Sequence, residues 1–175
     1  MSQGNCTVLL PSTRVIYFSI FFLCAFLMSG AFFFEFVMGL EPCPLCMAQR
    51  VAVILIGTFA LLAGIHNPGK TGKVVYGLFV LSACALGVGL AARQVWLQSL
   101  PEDLVPACGP GIYYMLDVLP ITDVVRSMLT GSGDCAEVLW RDPVLKLSIP
   151  GWTLVWFSFM TLVSLFLIAR KEPRG

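Results

Sequence analysis

Four apolar runs, each long enough to cross a bilayer, constrain this chain more than any other feature. They lie at approximately 15–37, 47–65, 74–97 and 149–169. A transmembrane helix needs roughly 20 mostly apolar residues. Inside hydrocarbon every backbone polar group must be satisfied within the protein, and a helix does that unaided. The chain is 58% hydrophobic and 12% charged over 175 residues, against about 45–50% and about 25% for a soluble domain. The expected fold is an all-α membrane protein, a four-helix transmembrane bundle formed as one domain over residues 1–175. A signal peptide is the competing reading of the first run. Its apolar stretch is too long for a signal core, and no small-x-small cleavage site follows it. A formal net charge of +1 gives no electrostatic footprint for nucleic acid.

The runs leave two connections on one side of the membrane, at about 38–46 and 98–148, and place both termini with the 66–73 turn on the other. Arg14, Lys70, Lys73, Arg170, Lys171 and Arg174 belong to the terminal side. The long connection holds Arg126, Arg141 and Lys146 against Glu102, Asp103, Asp117, Asp123, Asp134, Glu137 and Asp142. Positive charge stays inside, so both termini are expected in the cytoplasm and the long loop outside. Cysteines sort the same way: Cys43, Cys46, Cys108 and Cys135 fall outside, and Cys6 inside. Cys24 and Cys84 sit mid-helix, where a thiol behaves as a small apolar group.

The first outer turn carries Glu41-Pro42-Cys43-Pro44-Leu45-Cys46. Pro44 suits the first turn of a helix, because its missing N–H costs nothing there. Cys43 and Cys46 then stand at a helix N-terminus, where the backbone dipole favours a thiolate. Arg50 follows Cys46 by four residues and shares its helix face; a cation there favours the thiolate further. A lone C-x-x-C also fits a structural disulfide, half a zinc site or two buried thiols.

A loop as long as the second outer one is usually functional. Cys108 lies in Val105-Pro106-Ala107-Cys108-Gly109-Pro110, too broken by proline and glycine for regular structure and so open to a partner. Thr122 is expected to cap a short helix over 123–129. Its residues Val124, Val125, Met128 and Leu129 share a face, which suits the membrane interface. Gly131-Ser132-Gly133 ends it ahead of Asp134-Cys135-Ala136-Glu137. Glu35, near the end of the first run, reads as an interface anchor or a polar-site residue. His66 reads as a solvated turn residue.

Two cysteine pairs on one side of a membrane suggest a relay, because disulfide exchange moves electrons between pairs without a prosthetic group. Here the chain closely resembles the DsbB disulfide bond formation family of bacterial inner membranes. The resemblance covers nearly the whole chain. It rests on Pro42-Cys43-Pro44-Leu45-Cys46 with Arg50, on Trp96-Leu97-Gln98, on Cys108 in its broken segment, and on Gly133-Asp134-Cys135-Ala136-Glu137. The resemblance implies a Cys108–Cys135 disulfide, attacked at Cys108 by a reduced DsbA-type thioredoxin-fold protein of the periplasm. It also implies exchange between Cys135 and Cys43. Cys46 as thiolate then meets ubiquinone, or menaquinone, from the membrane pool, with Arg50 supporting the thiolate and the quinone oxygen. Some members of the family carry Glu before this arginine and His in the third helix. Gln49 and Gln94 stand there in this chain; they do not transfer protons as those groups can, but either can hydrogen-bond a quinone carbonyl.

Three other readings fit part of the pattern. Zinc sites usually use two close pairs, unlike the distant Cys108 and Cys135, so no metal is expected. A transporter, or a tetraspan protein with structural disulfides, is a second reading. A transport pathway would place polar groups near the bilayer middle, whereas Glu35, Arg50 and Arg93 all lie near the outer ends. A vitamin K epoxide reductase-like enzyme shares four helices and a C-x-x-C, but its motif typically comes late in the bundle.

Overall fold

The computed structural model describes residues 12–109, 111–138 and 140–170, without the side chain of Glu102. Its helices are α1 (Thr13–Phe36), α2 (Pro44–His66), α3 (Lys70–Leu97), α4 (Ile112–Val118), α5 (Ile121–Thr130) and α6 (Ile149–Ala169). Among the described residues there is no strand. The helices α1, α2, α3 and α6 are each long and apolar enough to cross a membrane. The chain is therefore an integral membrane protein of the all-α class, and the four helices carry the four apolar runs.

Local chemistry sets the helix ends. Ser12 caps α1, its hydroxyl accepting from Val15 N at 3.4 Å. Pro44 opens α2 with Cys43 as the N-cap, and Cys43 sulfur accepts from Cys46 N. Asn67 closes α2 in the left-handed region at φ 44°, a conformation Asn tolerates better than most residues. His66 is the last residue of α2, exposed, with Nδ1 3.0 Å from the Tyr76 hydroxyl.

The bundle is built on α2 and α3. The first packs against α1 and α3, and α3 packs against α6. Tyr17, Ile20, Ala52, Ile56, Ala60, Val80, Ala91, Phe157, Met160 and Leu167 form the core, with Cys24 and Cys84 buried among them. Small residues let membrane helices approach closely. Gly87 is the tightest case: a Cβ there would lie 2.3 Å from the Phe157 ring. Phe22, Phe26, Ile65, Leu162 and Phe166 face outward, as lipid contact requires.

The two ends of the bundle differ in chemistry. At one end Arg14 Nε donates to Gly64 O at 3.0 Å, and Lys73 Nζ to Arg170 O at 2.8 Å. The basic residues Arg14, Lys70, Lys73 and Arg170 gather there, opposite the end that holds Cys43, Cys46, Cys108 and Cys135. Cys6, Lys171 and Arg174 lie outside the described residues.

Two features of the long loop differ from expectation. Helix α5 begins at Ile121 with Pro120 as N-cap, and no side chain caps it. Thr122 is thus inside the first turn and is not the cap; fixed φ at Pro120 starts the helix two residues earlier. The expected four-residue face also divides. Val124 is buried, packing with Ile112 and Met115 of α4, and Met128 packs beside them with Met47 of α2. Val125 and Leu129 are exposed with Ile121. Successive helical residues turn by about 100°, so packing onto α2 takes Val124 and Met128 and leaves their neighbours outside. Helix α4 was not anticipated; the apolar stretch between Gly111 and Pro120 was its only sequence signal.

Candidate active site

The N-terminal end of α2 gathers three sulfurs. Cys43 Sγ and Cys46 Sγ stand 2.9 Å apart, one helical turn from each other. Cys135 is fully buried and packs against Leu45, Ala48, Leu90 and Leu97, with Cys43 at the edge of the same cluster. The Cys43 thiol is hydrogen-bonded to Cys135 as well as to Cys46. With its proton held between two other sulfurs, Cys43 is pushed far above the ordinary thiol range, first by Cys135, then by Cys46, then by burial. Cys135 moves the other way, to about 6. The hydrogen bond from Cys43 lowers it most, aided by the Leu45 and Ser132 backbones and overcoming burial. A thiolate, not a thiol, attacks disulfides, and the lowered value gives Cys135 that character in the reduced protein.

Cys108 is exposed. It is not paired with Cys135; both are free thiols. The segment carrying Cys108 is pinned to the 3-10 turn Gly133–Cys135. Gly133 N donates to Ala107 O at 3.1 Å, and Gly109 N to Asp134 Oδ2 at 3.2 Å. Ser132 Oγ donates to the same Asp134 oxygen at 3.0 Å. Gly133 has to be glycine for this contact, since a Cβ would fall 2.4 Å from Pro106 O and 3.0 Å from Cys108 N. Asp134 also accepts from the Cys108 thiol, and that bond, with the carboxylate charge, raises Cys108 above the ordinary thiol value.

The end of α3 clamps the loop. Leu97 is fully buried beside Cys135. Gln98 Nε2 donates to Glu137 O at 3.5 Å, and Ser148 Oγ donates to Gln98 Oε1 at 2.7 Å. Arg93 Nε donates to Thr130 O at 3.3 Å while its guanidinium lies 4.5 Å over the Trp96 ring. The Trp96-Leu97-Gln98 motif thus packs Cys135 and holds both sides of its loop.

Gln49 and Gln94 are both buried and meet each other. Gln49 Nε2 donates to Gln94 Oε1 at 2.6 Å. Gln94 Nε2 in turn donates to Cys43 Sγ at 3.3 Å and Cys46 Sγ at 3.2 Å. Arg50, expected beside Cys46, is engaged elsewhere. It forms an ion pair with Glu35 of α1 and donates through Nη2 to Ala31 O at 3.2 Å. Glu35 also accepts from the Tyr113 hydroxyl of α4. The sequence reading missed Thr153, Asp134 and Tyr113. Asp134 was adjacent to a named cysteine; Thr153 and Tyr113 carry no local signal.

A cavity of about 440 Å³ opens beside the cysteine pair, lined by Pro42, Pro44, Cys43, Cys46, Gln94 and Pro150 among others. Its size lies within the range of small-molecule sites. Arg50 is not part of its lining. Among the described residues no three His, Cys, Asp or Glu side chains are grouped to hold a metal ion.

A family model described as disulfide bond formation protein DsbB matches residues 13–167. Curated relatives named disulfide bond formation protein B are similar over nearly their whole length. One from Hahella chejuensis is 52% identical over 93% of this chain and 97% of its own. One from Marinobacter nauticus is 51% identical over 93% and 96%, and one from Nitrosococcus oceani 50% over 91% and 93%.

Proposed function

This chain belongs to the DsbB family of disulfide bond formation proteins, and from that premise we propose that it reoxidises a periplasmic DsbA-type dithiol protein and passes the electrons to membrane quinone. The family makes it a thiol–disulfide oxidoreductase of the membrane. The observation that carries the finer reading is buried Cys135 packed against Cys43 at the start of α2, with exposed Cys108 anchored to the same turn as Cys135.

The steps balance as disulfide exchanges. A thiolate of the reduced donor attacks Cys108 in a Cys108–Cys135 disulfide, and Cys135 leaves as thiolate. Cys135 attacks Cys43 in the Cys43–Cys46 disulfide, and Cys46 leaves as thiolate. The donor's second thiolate closes the donor disulfide and frees Cys108. Cys108 then attacks Cys135, which restores the Cys108–Cys135 bond and releases Cys43. The donor is oxidised by two electrons, and the Cys43–Cys46 pair is reduced by two. Cys135 leaves Cys108 already as a thiolate, and its hydrogen bonds from the Leu45 and Ser132 backbones and the Ser132 side chain favour that form, which suits it to its attack.

The residues present fit a quinone head group. The cavity beside Cys46 has the right size, and Gln94, Gln98 and Tyr113 bring hydrogen-bonding groups to its lining. A bound quinone, ubiquinone or menaquinone, would supply the two-electron acceptor. Cys46 would face it, Arg50 would supply positive charge from one turn below, and Gln94 with Gln49 would hold the sulfur side. The positive-inside rule supports a cytoplasmic basic end and a periplasmic cysteine end, and the family resemblance implies the bacterial inner membrane. The exposed Ile121, Val125 and Leu129 suit α5 to the membrane interface.

The test is oxidation of a reduced DsbA-type protein by the purified full-length chain with and without ubiquinone, followed by quinone absorbance. Turnover that requires quinone and is lost in Cys108→Ser and in Cys46→Ser is expected. Quinone-independent turnover, or normal turnover in either variant, overturns the reading.

A further inference from the structure

The hydrogen bonds of Gln94 continue past Gln49 to a residue with no chemistry of its own. Thr153, at the outer end of α6, donates from Oγ1 to Gln49 Oε1 at 2.6 Å. Thr153, Gln49 and Gln94 therefore form one chain across α6, α2 and α3, ending on the sulfurs of Cys43 and Cys46. Each carboxamide has a donor end and an acceptor end. Reversing one of them alone would set donor against donor or acceptor against acceptor. The polarity of the whole chain therefore follows the direction in which the Thr153 hydroxyl, able to donate or accept, engages Gln49 at the free end.

We propose that the Thr153 hydroxyl is the positioning group that orients Gln49 and through it Gln94, so that the Gln94 NH₂ group stands nearer the Cys46 sulfur, at 3.2 Å, than the Gln94 oxygen, at 3.7 Å. Thr153 has one hydroxyl proton and two acceptors within reach, Gln49 Oε1 at 2.6 Å and Pro150 O at 3.0 Å. The shorter contact goes to Gln49. Gln49 must then present NH₂ to Gln94, and Gln94 must accept with Oε1. Both Gln94 N–H bonds are left for Cys43 and Cys46 at 3.3 and 3.2 Å. Gln49 is 5% and Gln94 3% exposed, so water does not compete for these positions. In low dielectric a donor aimed at sulfur favours the thiolate, and an oxygen aimed there favours the thiol. Gln94 touches the reacting sulfurs; Gln49 and Thr153 act through it.

This inference rests on the reading that Cys46 leaves its disulfide as a thiolate. Its test needs no quinone and no partner protein. Full-length protein in detergent is equilibrated with dithiothreitol and its cyclic disulfide, and the Cys43–Cys46 state is read by differential alkylation and peptide mass spectrometry. Two electrons pass from the dithiol, which closes to its cyclic form, and the protein disulfide opens to the Cys43 thiol and Cys46 thiolate with release of a proton. Thr153→Val keeps the shape and removes the donor. The equilibrium is expected to move toward the disulfide by about five- to tenfold, a tenfold change being about 30 mV for this couple. Thr153→Ser restores the wild-type value. Gln49→Met, which cannot relay the polarity, shifts the equilibrium in the same direction, and Thr153→Val adds nothing to it. An unchanged equilibrium in folded Thr153→Val, additive shifts in the double variant, or no rescue by serine overturns the proposal. If Thr153→Val does not fold, Gln49→Met alone decides by whether it shifts the equilibrium. Failure of quinone-dependent turnover in the wild type, with these shifts intact, would sink the quinone reading and leave the orienting chain standing.

Discussion

Arg50 of α2 and Glu35 of α1 form an ion pair at the outer end of the bundle, with side chains 15% and 7% exposed. Tyr113 donates to the same carboxylate, so one acid joins two spanning helices and the outer loop. Arg50→Met leaves a shielded carboxylate without its cation and should destabilise the detergent-solubilised protein by about 2 kcal/mol. Adding Glu35→Gln should recover part of that loss, because no unpaired charge remains. Thermal unfolding of the three variants checks it. Equal stability of Arg50→Met and wild type would mean the pair holds nothing.

Function separates from stability at the same residue. Under the quinone reading, Arg50→Met raises the apparent KM for quinone while thiol exchange between Cys108 and the donor protein survives. Lysine restores only part, since it keeps the charge without the planar fork. Steady-state kinetics with varied quinone decides, and a KM left at the wild-type value would assign Arg50 to the ion pair alone.

Asp134 raises Cys108 by a hydrogen bond and by its charge. Asp134→Asn removes the charge, so the Cys108 value falls and its thiolate fraction at neutral pH rises. Alkylation of Cys108 in the reduced protein should then run several-fold faster at pH 7.5, converging with wild type at high pH where both are ionised. No change in rate would show that Asp134 does not govern this thiol.

Cys135, at about 6, owes its position first to the Cys43 thiol. At pH 7 its thiolate should exceed its thiol by about ten to one. Because the folded value is lowered, the stability it gives the reduced protein is full above the ordinary thiol value and is lost as pH falls through about 6. Cys43→Ala should move the titration of Cys135 to higher pH, and Cys43→Ser, which keeps a donor, should move it less. Thiolate absorbance against pH reads both. A titration near 6 in the alanine variant would assign the lowering to the backbone.

Two glycine substitutions should fail differently. Gly87→Ala drives a methyl into the Phe157 ring and should cost the bundle about 1–3 kcal/mol. Gly133→Ala meets the backbone at Pro106 and Cys108 instead. It should leave the bundle's melting temperature near wild type while slowing oxidation of the donor protein about tenfold, because the Cys108 segment leaves the Cys135 turn. Melting curves and donor oxidation rates, taken together, separate the two. If Gly133→Ala melted early instead, the turn would belong to the folding core.

Periodicity and composition located the four spans to within a few residues, because hydrocarbon fixes both length and apolarity. Pro44 was legible as a helix start and Cys43 as its neighbour, because proline geometry is local. The partner of Arg50 was not. Helix spacing put Arg50 on the face of Cys46, but the carboxylate that takes it sits on α1, and no spacing within α2 can show that. Thr153 lies 104 residues from Gln49, and a threonine near a helix start reads only as a common residue. Helix α4 is seven residues long, too short for a periodic signal.

Cys24 and Cys84 sit in the middle of the bundle, each almost fully buried among apolar side chains. A thiol there has no water and no cation with which to become a nucleophile. Under the proposed relay, the packed interior insulates the circuit: electrons that reach Cys46 are expected to find no exchangeable sulfur below them, and Cys24 and Cys84 are expected to stay reduced through turnover.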